Sequence, residues 1–258
     1  MTRLLRLALA LSAALGWTGA RVQAEEWLPV REVSLELRPG SPLDFSAILP
    51  NVKIEPNRRL IANADGRLAY ANAPGEPARL SCASLAWSPA SGGFPDRANA
   101  DRYARQLALH GYNLARLHFV DGSLMFGRKT DFDFDPETLD RIHYFLAALK
   151  RNGIYWMIDG LSSWRGAYGG HDDRWDPGGT LKLALHLDDG AFAHWKQFTE
   201  KFFTRVNPYT GVAPIHDDAL ALVILVNENN LEFESVVHDR RGKAPYDPMF
   251  AAPFNAWL

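Results

Sequence analysis

The sequence predicts an α/β protein of the (β/α)8 TIM-barrel class, with the first four βα units in residues 79–258 and a small β-rich N-terminal segment, residues 25–78, ahead of them. Three observations predict it. Leu220-Ala221-Leu222-Val223-Ile224-Leu225-Val226 is an unbroken apolar run rich in β-branched types, which suits a strand buried on both faces of a parallel sheet. From residue 79 onward, short apolar runs alternate with helical patterns as βαβαβαβ, at repeat lengths near those of a barrel. The fourth run then switches abruptly to Asn227-Glu228-Asn229-Asn230, at the strand edge where such sheets mount their chemistry. A doubly wound sheet is the structural competitor. It ranks second because no Gly-rich turn follows the first strand.

The chain opens on Arg3 and Arg6, an apolar stretch from Leu7 to Trp17, and Val22-Gln23-Ala24 with small residues at −3 and −1 of a cleavage site. Residues 1–24 therefore read as a secretory signal peptide, too short in its apolar part to span a bilayer. The expected product is secreted or periplasmic, with no membrane association after cleavage. Without the leader the formal charge moves from −2 to −5, with 25 basic against 30 acidic residues. That balance gives no reason to expect nucleic acid or an anionic membrane as partner. Cys82 is the only cysteine, so no internal disulfide is expected; its place in an apolar run predicts a buried core thiol.

In residues 25–78, Val33, Leu35 and Leu37 alternate with polar neighbours, the period of a half-buried strand, until Arg38-Pro39-Gly40-Ser41-Pro42 breaks it. Leu60-Ile61-Ala62 and Leu68-Ala69-Tyr70 flank Asp65-Gly66, a hairpin signal. The first barrel strand covers Arg79 to Trp87. Asp96 can cap a helix carrying Ala100, Tyr103, Ala104 and Leu107 on one face, with Gly111 past its end. Asn113 to Phe119 is the second strand. Asp135-Pro136-Glu137 opens the next helix with a cap, a proline and an acid; Leu139, Ile142, Leu146 and Leu149 repeat along it, and Gly153 stops it. Ile154 to Ile158, ending at Asp159-Gly160, is the third strand. After a long loop, a helix from Asp189 turns Phe192, Trp195, Phe202 and Val206 inward and stops at Asn207-Pro208. Ala252 to Leu258 begins another amphipathic helix. Four strands make half a barrel with costly open edges. The expectation is that this chain is the N-terminal part of a longer protein.

Three stretches together, Gly111-Tyr112-Asn113-Leu114-Ala115-Arg116-Leu117-His118, Gly153-Ile154-Tyr155-Trp156-Met157-Ile158-Asp159 and Val226-Asn227-Glu228, resemble the clan A glycoside hydrolases, especially cellulase-like family 5 enzymes. The likeness runs over residues 79–230. It implies hydrolysis of a β-linked polysaccharide or oligosaccharide by a retaining, two-carboxylate mechanism. By resemblance Glu228 is the acid/base, Asn227 the residue that hydrogen-bonds the sugar 2-hydroxyl, and Arg116 the arginine beside the nucleophile. The family's nucleophile, a Glu at the end of strand seven, falls outside this sequence, and Leu161 stands where a histidine often ends strand three. Retention asks for two carboxyls about 5–5.5 Å apart, one protonated for the leaving oxygen and one ionised for attack.

The other candidates follow from placement. Arg116 lies in an otherwise apolar strand, where a charge demands a partner. His118 and Asp121 sit at the same strand end and suit substrate contact or loop anchoring equally. Asp159 reads as a loop anchor, and Glu232 and Glu234 as solvated charge. Trp164 and Trp175 offer flat faces for sugar stacking. The acidic loop with Asp172, Asp173 and Asp176 lacks an EF-hand pattern and reads as a solvated turn rather than a calcium site. His216-Asp217-Asp218 reads as a turn at the far end of the barrel. No zinc spacing, nucleophile elbow or phosphate loop is present, so neither metal nor cofactor is expected. The alternative function is non-catalytic carbohydrate binding on a degenerate barrel. The sequence leaves the oligomeric state open, including two copies pairing into one barrel.

Overall fold

A computed structural model describes residues 35–49, 53–87, 91–163, 166–169, 181–186, 188–230 and 246–258. The chain divides into the units Met1–Leu35 and Glu36–Leu258, and the second holds every element below. The leader and Val33 lie outside the described residues. Leu35 to Leu37 form no strand: the backbone of Leu37 is satisfied by the Gln106 amide, at 2.8 Å to its N–H and 3.0 Å to its carbonyl. A side chain has taken the place of a ladder.

Among the described residues, seven strands form two sheets. β1 (Leu60–Ala62), β2 (Leu68–Tyr70) and β3 (Ala73–Pro77) make an antiparallel sheet. The β1–β2 connection turns at Gly66, whose φ of +71° is a conformation a side chain disfavours. β4 (Cys82–Ala86), β5 (Leu114–His118), β6 (Tyr155–Asp159) and β7 (Leu220–Ile224) form a parallel sheet in chain order. A doubly wound sheet reverses its strand order at a switch point. This one does not reverse; it winds as the first four strands of a barrel do.

Helices fill the crossovers. α1 (Arg97–Leu109) is capped by Asp96, which accepts from the Asn99 N–H, and α3 (Pro136–Arg151) by Asp135, which accepts from the Thr138 N–H. Both caps satisfy a backbone donor that the first turn leaves orphaned. The short α2 (Val120–Met125) follows β5 directly; α4 (Leu181–Ala184) and α5 (Asp189–Phe203) lie between β6 and β7, and α6 (Tyr246–Trp257) closes the chain. Ala100 and Ala104 are buried as expected, whereas Tyr103 is 45% exposed, edge-on to Trp87. On α5 the buried stripe is Ala191, His194, Phe198 and Phe202. Phe192 and Val206 face solvent: Phe192 lies about 100° round from Ala191 on the helical wheel, and Val206 falls beyond the helix end.

The two faces of the parallel sheet differ. Ala115, Leu117, Trp156 and Ile158 are almost wholly buried, in one core with Ile142, Phe145 and Leu146 of α3 and Phe198 and Phe202 of α5. Register places Cys82, Ser84, Ala86, Arg116, His118, Met157, Asp159 and Leu222 on the opposite face. Near the strand starts that face is covered by the small sheet. The Tyr70 and Tyr155 rings stack at 6.1 Å, and the Tyr155 hydroxyl donates to the Arg58 carbonyl at 2.6 Å.

Two burial expectations are corrected here. Cys82 is exposed, not a core thiol. β7 is not sealed on both faces, since Leu222 is 42% exposed and no residue of the strand is fully buried. The reason is shared: β4 and β7 are the outer strands, and among the described residues neither has a strand on its far side. The apolar run expected from Ala252 to Leu258 belongs to α6, which starts earlier and leaves Phe254 and Trp257 exposed.

One buried group makes stability pH-dependent. His143 on α3 is 3% exposed, and burial, reinforced by Arg205, pushes its pKa down to about 4. The unfolded chain takes up this proton at the ordinary histidine value and the folded chain does not, so stability falls as pH drops from about 6.5 towards 4, by on the order of 3 kcal/mol. Urea midpoints at pH 7 and pH 4.5 measure this. The drop is expected to be smaller in His143→Gln than in the parent chain.

Candidate active site

The polar residues of the open face converge at the C-terminal strand ends. Asp159 is fully buried at the end of β6, and its carboxylate organises the group. Arg116 donates to it twice, from Nε to Oδ1 and from a terminal nitrogen to Oδ2, both at 3.0 Å. His118 Nδ1 lies 2.9 Å from Oδ2, and the Ser162 hydroxyl donates to Oδ2 at 3.0 Å. The partner that Arg116 demanded is therefore Asp159. This parallel, two-point contact is the geometry guanidinium and carboxylate favour.

Arg116 also reaches across to the fourth strand end, donating to Asn227 Oδ1 at 2.7 Å. A guanidinium only donates, so the carbonyl end of the Asn227 amide faces Arg116 and the NH2 end remains a donor for an acceptor such as a sugar hydroxyl. Glu228 follows, exposed, with a φ of +53°. A non-glycine residue held in the left-handed region costs free energy, and such residues cluster at functional sites. Phe119, just after His118 at the end of β5, has a φ of +59°.

The segment that presents Glu228 is pinned along its length. Gly160 N–H donates to Ile224 O at 2.7 Å, Asn227 N–H to Leu161 O at 2.8 Å, and Trp195 Nε1 to Leu225 O at 3.2 Å. Gly160 makes this approach possible: a Cβ there would stand 2.9 Å from the Leu225 carbonyl oxygen. Gly160→Ala is expected to cost about 1–3 kcal/mol by overpacking. Chemical denaturation reads that cost, and the displaced backbone should shift the Asn227 and Glu228 amide resonances.

Electrostatically, burial holds the His118 imidazole below its ordinary pKa; Arg116 acts in the same direction, while Asp159 and Glu228 oppose it. His118 is thus a neutral ring at pH 7 within the field of Glu228. Asp121 is settled as a loop anchor. It is fully buried and accepts from the Ser162 and Ser163 backbone N–H groups at 3.2 and 2.9 Å, and burial pushes its carboxyl up. Asp217 is buried too, taking Lys150 Nζ at 2.8 Å at the opposite end of the sheet.

The structure therefore brings Arg116, His118, Asn227 and Glu228 to one rim of one sheet. Trp164, Trp175 and the acidic loop lie outside the described residues, as do Glu232 and Glu234. Sequence reasoning gave Asp159 too small a part and passed over Ser84 and Ser162. The available signal was the in-register pairing of Ser84 with Arg116, which needs strand alignment and not spacing. Among the described residues no group of three or more His, Cys, Asp or Glu could hold a metal ion, and no helix is long and apolar enough to cross a membrane.

No family model matches the chain, and no curated protein matches it. Among solved structures it is similar to a glycoside hydrolase family 5 mannosidase from Rhizomucor miehei, at 15% identity and TM-score 0.49, over 69% of this chain and 50% of that one. It is similar to an endo-1,4-beta-mannanase from the same organism at 16% identity and TM-score 0.46, over 58% and 43%. An endo-beta-1,4-mannanase from Thermotoga petrophila is 20% identical with TM-score 0.46, over 58% and 35%. The matched region thus spans between about a third and a half of the length of these structures.

Proposed function

We propose that this chain is the N-terminal half of an exported (β/α)8 glycoside hydrolase that cleaves a β-linked glycan with retention. The observation that carries the reading is the bridge from Asp159 through Arg116 to Asn227, beside a left-handed Glu228. A carboxyl, a neutral amide donor and a fixed cation on one strand-end rim support that reading. Glu228 protonates the leaving oxygen, Asn227 donates to a sugar hydroxyl, and Arg116 faces the position of a second carboxylate supplied by a later strand. His118 and the aromatics Trp164 and Trp175 contribute sugar contacts.

The test is a reducing-end assay on a panel of β-linked glycans. A protein carrying this chain together with the later barrel strands is expected to release sugars, and the 258-residue chain alone to release none. Equal hydrolysis by the 258-residue chain would mean that both carboxyls lie within it, against this reading.

A further inference from the structure

We propose that Ser84, His118 and Asp159 form a second reactive centre, a serine nucleophile with its base and orienting carboxylate, acting on short-chain carboxylic esters. The three side chains come from three adjacent strands, β4, β5 and β6. Ser84 Oγ lies 3.0 Å from His118 Nε2, and His118 Nδ1 lies 2.9 Å from Asp159 Oδ2. A carboxylate only accepts, so the proton of the neutral ring sits on Nδ1, and Nε2 accepts from the Ser84 hydroxyl. An activated serine requires this: nucleophile and base within hydrogen-bond reach, and the base oriented by a third group.

The surroundings fit the chemistry. Asp159 is fully buried and fixed by Arg116 and Ser162, so it orients the ring rigidly. In the 258-residue chain Ser84 is exposed, and so is Ala86 two residues on. Arg116, in register with Ser84 on the next strand, places a positive charge on the same face, where an oxyanion develops. Burial keeps His118 in its basic form at neutral pH.

In the reaction Ser84 Oγ bonds to the ester carbonyl carbon while its proton passes to His118 Nε2. The adduct collapses, the bond to the alcohol oxygen breaks, and His118 returns the proton to that oxygen. Water then repeats the sequence on acyl-Ser84, with His118 taking its proton and handing it back to Ser84 as the carboxylic acid departs. His118, Asp159 and Arg116 are shared with the glycan site, but neither Glu228 nor a second carboxylate takes part, so a serine adduct tests this centre whether or not the glycan reading holds.

The experiment treats the 258-residue chain with diisopropyl fluorophosphate, maps the adduct by peptide mass spectrometry, and follows p-nitrophenyl acetate hydrolysis. Ser84 is expected to be the single modified serine, and Ser84→Ala to hydrolyse the ester at the buffer rate. His118→Gln should slow both reactions by at least about 100-fold. The groups facing His118 are Arg116 on its own strand, Asp159 on β6 and Glu228 beyond β7. The rate should therefore rise with pH to a plateau reached below the ordinary histidine range. Adducts scattered over other serines, or Ser84 reacting equally fast in His118→Gln, would overturn the proposal. The adduct site and the pH profile are read on the parent sequence and do not depend on a variant folding.

Discussion

Replacing Glu228 by Gln, in a protein that carries this chain with the later barrel strands, is expected to lower hydrolysis of a natural glycan by about 10²–10⁴-fold, the usual contribution of a positioned acid. Gln keeps the shape and hydrogen-bonding reach of Glu but has no proton to give. The backbone leading to the side chain is held independently of it, because the Gly160, Asn227 and Trp195 hydrogen bonds pin residues 224, 225 and 227 just ahead of it. The loss should therefore appear in kcat more than in KM. An aryl glycoside whose leaving group departs without protonation should lose far less in its first step than a glycan does. Parent-level rates in the variant on the natural polymer would remove Glu228 from the acid/base role.

The second large effect concerns Asp159, which the sequence marks only as a loop anchor. Its carboxylate is the common acceptor for Arg116, His118 and Ser162. Asp159→Asn replaces one accepting oxygen by a donor and leaves the Arg116 charge, only 23% exposed in its side chain, without its counter-charge. Breaking a buried pair from one side costs about 3–5 kcal/mol, which for a chain of this size lowers Tm by roughly 10 °C. Arg116→Met added to Asp159→Asn removes the orphaned charge and should recover part of the loss, as measured by thermal unfolding. If Asp159→Asn alone melts with the parent, Asp159 is not the organiser of this rim.

The contrast between these two residues shows how far a sequence can be read. Helix starts were legible because capping is local: Asp96 and Asp135 each sit three residues from the backbone donor they accept. Strand order followed from the alternation of patterns. Coverage was not legible. Cys82 and Leu222 read as core in an apolar run and are exposed because β4 and β7 are outer strands, a property of the whole sheet. The need of Arg116 for a partner was evident from its apolar strand, yet its partners lie 43 and 111 residues away. Ser84 carried no local signal, since its proximity to His118 exists only once β4 and β5 are in register. Glu228 was visible because an abrupt change from apolar strand to amide and carboxylate is written in consecutive residues.

The most direct test of the proposed glycoside hydrolase reading is the anomer first released when a protein carrying this chain with the later barrel strands cleaves a β-linked glycan, followed by proton NMR before mutarotation. On the proposed reading, with Glu228 and a nucleophilic carboxylate about 5–5.5 Å apart, a covalent intermediate forms and the β anomer is released first. Appearance of the α anomer first, or no cleavage of any β-linked glycan, would contradict the account.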